Sequence, residues 1–306
     1  MAIKITNGGL IKRNATYCGL VFGSPKSGKT TLAASAKKPL LIDLDKGAYR
    51  TAGKDRAGID VVSVDNYMDD LIPFISSPEL KNYETIVIDT FGALVDMIIR
   101  DKFSGIMNPA KWGIVKTEII SIANTLRMTG KSVLFLAHES EEKSDDKIIK
   151  RPQCQGKAKE ELMKMLDFIG HTCKAGNDFV LEFGGDDSIY CGNTYGFANR
   201  YVLPDVKLEN NDFWQRVIEK QINDFVQADE LAGEQLRETL ETLTTQIGEL
   251  ETAEQFTAFI GDLAKHTDLT SGAQLKIKKE LLETATNKGF TYNKETKAFE
   301  STVKAE

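Results

Sequence analysis

The stretch Gly23–Thr30 constrains the fold of this chain more than any other feature. It reads GSPKSGKT and stands between an apolar run, 16–22, and a helix-forming run, 29–36. The spacing GxxxxGK[ST] after a strand and at the start of a helix predicts a phosphate-binding loop. Glycines let backbone N–H groups curl around phosphates, and the helix adds its N-terminal dipole. The alternative is a chance glycine-rich turn.

The loop predicts ATP and Mg²⁺ as cofactors. Lys29, expected as a solvent-facing loop cation, would reach the β- and γ-phosphates, and the Thr30 hydroxyl would bind Mg²⁺. Asp89 closes the apolar run TIVID, where an unpaired buried carboxylate is costly, so it is expected to hold Mg²⁺ through water. The alternative for Asp89 is a surface aspartate at a strand end. The predicted nucleotide-binding residues are Gly23, Ser24, Pro25, Lys26, Ser27, Gly28, Lys29, Thr30 and Thr31.

Hydrolysis also needs a group that orients water, and polar residues at two strand ends are the candidates. Asp43 and Asp45 end the run PLLIDLD. Asp45 lies just beyond the strand and is the preferred carboxylate, whereas Asp43 is expected to structure the turn. His138 ends SVLFLAH and is the candidate γ-phosphate sensor. The alternative is a histidine held by hydrogen bonds at the sheet edge. The predicted catalytic set is Asp45, Lys29 and His138.

Apolar runs that alternate with helix-forming segments predict an α/β fold with a mainly parallel sheet flanked by helices. The strongest runs are 16–22, 39–44, 84–89 and 132–137. Helices are predicted at 91–103, at 157–168 and from Asn108-Pro109 to about residue 129. Residues 139–153 are predicted as a charged loop. Shorter strands, with a hairpin among them, are predicted at 170–175, 178–184, 188–191 and 200–203.

Charge divides the chain into two predicted domains, a P-loop ATPase core at 1–227 and an acidic helical module at 228–306. Apolar residues spaced three and four apart predict helices in the module at 229–248, 251–265 and 271–288, and Thr252 to Gln255 resembles a capping box. The module holds nine Lys and Arg against fifteen Asp and Glu, which accounts for the whole net charge of −6. Positive charge in the core is clustered, and the run 147–159 holds five cations and no acid. Such a local cluster lets an acidic protein bind nucleic acid.

The basic run supplies most of the candidate contacts to single-stranded DNA, which are Lys147, Lys150, Arg151 and, from another loop, Lys111. The run has no aromatic residue on which bases stack, and Phe103 and Trp112 are the nearest substitutes. Each of these predictions has an alternative. For the basic run, the alternative is a solvated charged loop, and for Trp112 it is core packing at a helix start.

Cysteine and histidine positions indicate no metal cluster beyond Mg²⁺. Four cysteines lie far apart without a CxxC pair, which fits a reducing cytoplasm and argues against a zinc site. His171 and His266 have no evident partner in the sequence. No apolar run approaches the roughly 18 residues that span a bilayer, and the N-terminus has no apolar segment of a secretory signal. We therefore expect a cytoplasmic protein without membrane contact.

The loop followed by IDLD, TIVIDTF and LFLAHES resembles the RecA-type ATPase core over about residues 10–225. Within that class the chain resembles the phage-encoded RecA-like ATPases of the Sak single-strand annealing group. The resemblance implies a slow, Mg-dependent, DNA-stimulated ATPase with His138 as sensor. Asp45 stands where RecA-like proteins carry the glutamate that polarises water. The resemblance also implies DNA contacts from the loop 139–156, and a filament or ring in which Lys157 and Lys159 reach the neighbour's nucleotide.

These features predict an ATP-hydrolysing protein that acts on single-stranded DNA in phage-type recombination, by annealing or strand exchange. One alternative is a nucleotide-gated scaffold that loads a partner through the acidic module. The resemblance implies a single-strand-binding protein as that partner. Another alternative is a P-loop kinase for nucleotides or other small molecules. Such kinases clamp phosphates with arginine, which argues against this alternative because the basic run holds one Arg among five cations.

Overall fold

The apolar runs form the strands of one large sheet. The computed structural model describes residues 15–50, 59–144, 147–155, 158–184, 188–204, 211–263, 265–266 and 269–302. The sheet strands in these ranges are β1 Cys18–Gly23, β2 Pro39–Asp43, β3 Asp60–Ser63, β4 Thr85–Asp89, β5 Ser132–Ser144, β6 Lys147–Pro152, β7 Phe168–Ala175, β8 Asp178–Glu182, β9 Gly192–Asn193 and β10 Arg200–Val202.

The parallel part of the sheet has the order β7-β1-β5-β4-β2-β3. Antiparallel β8 and β10 extend the edge at β7, and β9 also pairs with β7. Strands β1, β2 and β4 are buried along their whole length, as a sheet covered on both faces requires. The predicted α/β fold with a mainly parallel sheet is confirmed.

Helices connect most of the parallel strands. The α-helices of the described residues are α1 Lys29–Ala33, α2 Ile72–Ile75, α3 Phe91–Phe103, α4 Pro109–Met128, α5 Ala158–Met165, α6 Lys220–Glu249, α7 Ala253–Leu263 and α8 Ser271–Asn287. Asn108 caps α4 by accepting from the Lys111 N–H, with Pro109 in the first turn, as predicted. Among the helices described, none combines the length and apolarity needed to cross a bilayer.

The core of the sheet is apolar on the side of α3 and α4. Leu94 and Ile98 of α3, and Ile119 and Ile122 of α4, are buried in one cluster with Phe135 of β5. These residues recur three or four positions apart along each helix, so one stripe of each helix covers the sheet.

A buried polar network joins the amino ends of β1 and β4 to the segment before α6. The Glu219 carboxylate accepts hydrogen bonds from the Tyr17 hydroxyl at 3.0 Å and the Thr85 hydroxyl at 3.1 Å. The Trp214 indole N–H donates to the same tyrosine oxygen at 2.8 Å. Burial raises the pKa of Glu219. The network lies at the edge of the sheet opposite the phosphate-binding loop, so it holds the strands without occupying the site.

The prediction of a charged loop at 139–153 is wrong, because these residues form a β-hairpin. β5 continues beyond the apolar run to Ser144 and pairs antiparallel with β6, from Glu139 opposite Pro152 to Ser144 opposite Lys147. The run of apolar residues in β5 ends at Ala137, which is why the sequence does not indicate that the strand continues. The hairpin is held by backbone hydrogen bonds between its two strands, and these do not require apolar side chains. The helix predicted at 157–168 is also too long, since α5 ends at Met165 and β7 begins at Phe168.

The chain divides into two compact units, with the boundary between Phe225 and Val226, inside α6. The second unit has its own apolar core, in which Ile247, Phe256 and Ile277 are fully buried. The helices predicted at 229–248, 251–265 and 271–288 correspond to α6, α7 and α8.

The second unit shows one predicted feature and one that the sequence analysis missed. The capping box before α7 is confirmed. The Gln255 N–H donates to Thr252 Oγ1 at 3.3 Å, and the Thr252 N–H donates to Gln255 Oε1 at 3.0 Å. The missed feature is a hairpin of β11 Phe290–Asn293 and β12 Ala298–Ser301.

Candidate nucleotide-binding site

The phosphate-binding loop lies between β1 and α1, at the carboxyl edge of the parallel strands. Gly28 has φ 87°, a left-handed conformation that glycine adopts without a steric penalty. Gly23 is required for a different reason, because a Cβ there would lie 2.1 Å from the backbone oxygen of Thr172. The Ser27 and Thr172 hydroxyls are hydrogen-bonded at 2.8 Å. The loop therefore packs directly on β7.

Lys29 is 7% exposed, so the prediction of a solvent-facing cation is wrong. Its ammonium donates to the carbonyls of Gly23 at 3.0 Å and Ser24 at 2.9 Å. Burial lowers the pKa of Lys29, and the Asp89 charge opposes that shift. The first turn of α1 has no acidic residue and no side-chain cap. An enclosed ammonium beside an uncapped helix start is a donor set that fits the phosphates of ATP.

The other predicted loop residues differ in exposure. Pro25 and Lys26 are exposed, and Lys26 has a left-handed φ of 66°. Thr31 is half-buried in α1, and its carbonyl accepts from Asn211 Nδ2 at 2.8 Å. Pro25 and Lys26 are therefore placed where a nucleotide or a partner reaches them, whereas the carbonyl of Thr31 belongs to the packing of α1.

Thr30 and Asp89 meet as the sequence predicts for a magnesium site. Thr30 Oγ1 donates to Asp89 Oδ2 at 2.9 Å. Burial raises the pKa of Asp89 to about 6, with a smaller contribution from the Asp45 charge, while the Thr30 hydrogen bond lowers it. A hydroxyl and a carboxylate side by side are oxygen ligands of the kind Mg²⁺ prefers, so the pair fits this cation. A bound divalent cation would hold Asp89 in its ionised form.

The structure distinguishes the two aspartates at the end of β2, of which Asp43 is the last strand residue and Asp45 lies two positions beyond it. Asp43 is buried and accepts from the backbone N–H groups of Gly47 at 2.9 Å and Ala48 at 3.1 Å, so it structures the turn. Asp45 instead lines a cavity of about 380 Å³ together with His138. The candidate water-orienting carboxylate and the candidate sensor thus face the same space.

The sequence analysis missed the other walls of this cavity. One wall is the start of α3 with Thr90 and Asp96, and the opposite wall is the segment after the hairpin with Gln153 and Gln155. Gln155 Nε2 donates to Asp96 Oδ1 at 2.9 Å. The Gln153 N–H donates to the carbonyl of His138 at 2.7 Å. These residues meet because the hairpin returns the chain to the end of the sensor strand, which no local pattern indicates.

Glu139 joins the phosphate-binding loop, the hairpin and β7. Its carboxylate lies 2.9 Å from His171 Nε2 and 3.7 Å from Lys150 Nζ. Its charge also acts on Lys29. His171, for which the sequence shows no evident partner, is buried and has Glu139 as a partner in the structure. The contact arises because β5 and β7 both flank β1, so residues distant in sequence stand side by side.

Three predicted DNA contacts, Lys147, Lys150 and Arg151, lie on β6 of the hairpin. Acidic residues of β5 face two of them. Arg151 Nε lies 3.1 Å from Glu142 Oε2, and Lys150 pairs with Glu139. The acid-free run of the sequence therefore meets carboxylates from the neighbouring strand, and the cationic surface is weaker than the sequence suggests.

Phe103 and Trp112 do not form the suggested aromatic platform, because both pack partly buried against the sheet core. The alternative of a core role for Trp112 is therefore confirmed. Lys111 lies over the Phe103 ring, with its ammonium 5.3 Å from the ring centre. The aromatic residue at the hairpin is Tyr190, which is exposed and lies 5.2 Å below the guanidinium of Arg151. Local sequence patterns do not indicate this contact, because Tyr190 is brought to the hairpin by an isolated bridge between Ile189 and Lys150 and by its own N–H, which donates to the Lys150 carbonyl.

The predicted contacts to a neighbouring protomer are not described in full. Lys157 lies outside the described residues. Lys159 is part of α5, and its side chain lies outside them as well.

Comparison with known proteins places the site in a family context. A family model described as "AAA domain" matches residues 15–198, from the residues before β1 to the segment before β10. The match includes the phosphate-binding loop, Asp89, His138 and the hairpin. A search of curated proteins finds no match to this chain.

Proposed function

Since the chain belongs to the AAA domain family and is therefore a nucleotide-binding P-loop ATPase, we propose a function in which ATP is used. We propose that the protein acts on single-stranded DNA in recombination. The proposed activity is Mg-dependent ATP hydrolysis, stimulated by DNA and coupled to annealing or strand exchange, as in the phage Sak group. The supporting observation is that one strand, β5, carries the candidate sensor His138 and then continues directly into a hairpin whose other strand, β6, carries Lys147, Lys150 and Arg151.

The nucleotide chemistry follows from the residues of the loop. Lys29 exchanges the carbonyls of Gly23 and Ser24 for phosphate oxygens, which stabilises the negative charge that develops during transfer. Thr30 and, through water, Asp89 would hold Mg²⁺, and this would require the ionised form of Asp89. When bound, Mg²⁺ neutralises phosphate charge. Asp45 orients the attacking water from the cavity that it shares with His138.

Coupling to DNA is proposed through both ends of the hairpin. The hairpin leaves the cavity at His138 and returns to it at Gln153, whose N–H donates to the His138 carbonyl at 2.7 Å. A shift of the hairpin therefore moves two walls of the cavity together. DNA bound on β6 would in this way change the position of the groups around the γ-phosphate.

The hairpin presents the groups that single-stranded DNA needs. Lys147 and Ile148 are exposed, and Tyr190 offers a ring for stacking next to Arg151. Phosphates compete with Glu139 and Glu142 for Lys150 and Arg151. Release of Glu139 from Lys150 alters the electrostatic field at Lys29, since Glu139 acts on both cations.

The decisive experiment is ATP turnover measured with and without single-stranded DNA, together with DNA binding over a range of salt concentrations. The proposal expects slow turnover alone, stimulation by DNA, and binding that weakens with salt. Tyr190→Ala should reduce DNA binding by about 1–3 kcal/mol, the usual value of one stacked base. If the rate of ATP turnover does not change when DNA is added, and no DNA binding is detected, this function is refuted. The assignment as an ATPase would still stand.

A nucleotide-gated scaffold is the second candidate, supported by the C-terminal unit. A cavity of about 230 Å³ there is lined by the apolar residues Ile260, Leu263 and Leu275 and by Lys278, among others, and Leu275 is 70% exposed. An apolar groove beside a cation suits a partner segment with apolar and acidic residues, and a single-strand-binding protein is the proposed partner. Leu275→Asp should abolish capture of such a protein but leave ATP turnover unchanged.

Self-association as a filament or ring is also proposed, with Lys157 and Lys159 reaching the neighbour's nucleotide. Its support is the resemblance of the segment QGKAKEELMKMLDFIG to the phage group. Light scattering after size-exclusion chromatography, with and without ATP and Mg²⁺, tests this proposal. A monomer under all conditions would refute it.

A cytoplasmic location is also proposed. Its support is the spacing of the four cysteines, which lie far apart in the sequence without a CxxC pair.

A further inference from the structure

A second cluster of metal-binding side chains lies on β7 and β8, at the side of the sheet beyond the phosphate-binding loop. His171 and Cys173 are two residues apart on β7 and therefore share one face of the strand. Glu182 of β8 is paired with His171 in the antiparallel ladder. The imidazole, thiol and carboxylate that can ligate a metal lie within 4.8 Å of one another.

Two of the three separations in this cluster are close to the edges of a tetrahedral metal site. His171 Nδ1 lies 3.5 Å from Glu182 Oε2, and Cys173 Sγ lies 3.9 Å from the same oxygen. Zinc bonds of about 2.0–2.3 Å imply ligand-to-ligand distances of about 3.3–3.8 Å in a tetrahedron. The imidazole nitrogen and Cys173 Sγ lie within 4.8 Å of each other, so side-chain rotation has to bring these two ligands closer on a shared ion.

The imidazole is already oriented as a metal-bound histidine is. Its Nε2 lies 2.9 Å from Glu139 Oε2, and its Nδ1 lies on the side of Glu182, whose Oε2 is also the oxygen nearest to Cys173 Sγ. Metal-binding histidines usually donate their second ring N–H to a carboxylate, which sets the tautomer and holds the ring. His171 is 1% exposed and its ring packs 4.9 Å from that of Phe22. The orientation is thus set by contacts outside the cluster.

The charges around the cluster suit a divalent cation. Two carboxylates, Glu139 and Glu182, flank the imidazole, and Cys191 adds a second thiol that receives a backbone hydrogen bond from His171. Two cations, Lys150 and Arg200, lie at the edge, 3.7 Å and 3.9 Å from the two carboxylates. They offset part of the negative charge but stay outside the ring of ligand atoms.

We propose that His171, Cys173 and Glu182 bind one divalent transition-metal cation of the kind of Zn²⁺. A mixed nitrogen, sulfur and oxygen donor set favours Zn²⁺ over Mg²⁺, which prefers oxygen alone. The bound ion joins β7 to β8 and, through the His171–Glu139 contact, to β5. Thr172, between the two β7 ligands, bonds to Ser27 of the phosphate-binding loop. The site therefore stabilises the strand on which that loop packs.

The test begins with the full chain, purified without a histidine tag and without chelators. The expected result is about one zinc per chain by mass spectrometry of the metal content. After chelator extraction, added Co²⁺ should produce thiolate-to-cobalt charge-transfer absorption. Co²⁺ at Thr30 and Asp89 gives no such band, because that site has only oxygen ligands. Zinc-free protein that also shows no charge-transfer band with Co²⁺ would overturn the proposal.

Two variants make the assignment specific. Cys173→Ser should remove the charge-transfer band and lose zinc, whereas Cys154→Ser, which changes a thiol outside the cluster, should keep both. Zinc should raise the melting temperature of the wild-type chain and of Cys154→Ser but not of Cys173→Ser. A Cys173→Ser protein that keeps the band refutes the ligand set. Because the band is also measured on the wild-type chain, a variant that fails to fold does not decide the result.

Discussion

Thr30 and Asp89, which are 59 positions apart in the chain, share a hydrogen bond of 2.9 Å between hydroxyl and carboxylate. The bond exists because α1 starts where β1 ends and β4 ends at the same edge of the sheet. Asp89 is buried there beside Asp45, so it is ionised only at a cost in free energy, and a cation at this point removes that cost. This pair leads to the first prediction.

Asp89→Asn should stabilise the nucleotide-free protein at neutral pH. Burial raises the pKa of Asp89 from 3.8 to about 6. The folded state therefore holds the proton more tightly than the unfolded chain, and this stabilisation is full below about pH 4 and lost as the pH rises through about 6. The neutral amide should raise the free energy of unfolding by on the order of 3 kcal/mol well above pH 6, with little change at about pH 4.

Denaturant titrations at several pH values measure this effect. The same variant should bind ATP more weakly in Mg²⁺, because an amide is a poorer magnesium ligand than a carboxylate. A pH-independent difference in unfolding free energy between the two proteins would contradict the prediction.

Lys29→Met should weaken ATP binding at least about tenfold, equivalent to about 1.4 kcal/mol, without unfolding the chain. Methionine keeps the aliphatic packing of this buried side chain but removes the ammonium that the phosphates need. Titration calorimetry measures the affinity, and circular dichroism checks the fold. Lys81→Met, which changes an exposed lysine outside the phosphate-binding loop, is the control and should bind ATP nearly as well as the wild type. Equal ATP affinity in Lys29→Met would refute the phosphate-binding loop.

Asp45→Asn and Asp43→Asn should differ in kind. Asp45→Asn should still bind ATP but lose about 10²-fold or more in turnover, because orienting water is a transition-state task. Asp43→Asn should instead lower stability by about 1–3 kcal/mol, since the turn N–H groups of Gly47 and Ala48 lose their charged acceptor. Steady-state ATP hydrolysis and thermal unfolding of both variants separate the roles. If Asp45→Asn hydrolyses ATP normally and Asp43→Asn does not, then Asp43 orients the water and the two assigned roles are reversed.

Replacing both Lys150 and Arg151 with Ala should change the salt dependence of DNA binding. Each phosphate contact on single strands contributes roughly −0.7 to the slope of log K against log salt, so the slope should flatten by about 1.4. Affinity should fall to a similar extent for all sequences, because phosphate contacts do not read bases. The matched control removes two exposed lysines of the C-terminal unit, Lys265 and Lys279, and should keep the wild-type slope. An unchanged slope in Lys150→Ala/Arg151→Ala would show that the hairpin cations do not contact DNA.

Gly23→Ala and Gly113→Ala should have opposite effects on stability. A Cβ at Gly23 meets the Thr172 backbone oxygen at 2.1 Å and should destabilise the chain by about 1–3 kcal/mol or more. Gly113 lies in α4, and a Cβ there meets no described atom within 4 Å, so alanine should stabilise the helix by about 0.5–1 kcal/mol. Chemical unfolding of both variants measures the difference. Similar values for the two would contradict the close packing of the loop on β7.

Much of the architecture follows from local patterns. The apolar strands, the α4 cap at Asn108, the capping box at Thr252 and the phosphate-binding loop depend on residues close in sequence, so spacing alone predicts them. The Thr30–Asp89 pair is also predictable, since strand ends of a parallel sheet meet at one edge.

The sequence by itself determined the nucleotide-binding loop, the parallel sheet and the helical C-terminal unit. Each follows from the periodic spacing of apolar residues or from a motif of fixed spacing. Only the tertiary structure decided the hairpin at 139–152, the pairing of its cations with acids, and the cluster of His171, Cys173 and Glu182. These features depend on strand order and register, which set neighbours across long separations in the chain. Lys29 shows the same limit, since its burial results from how the loop folds over it and not from its residue type.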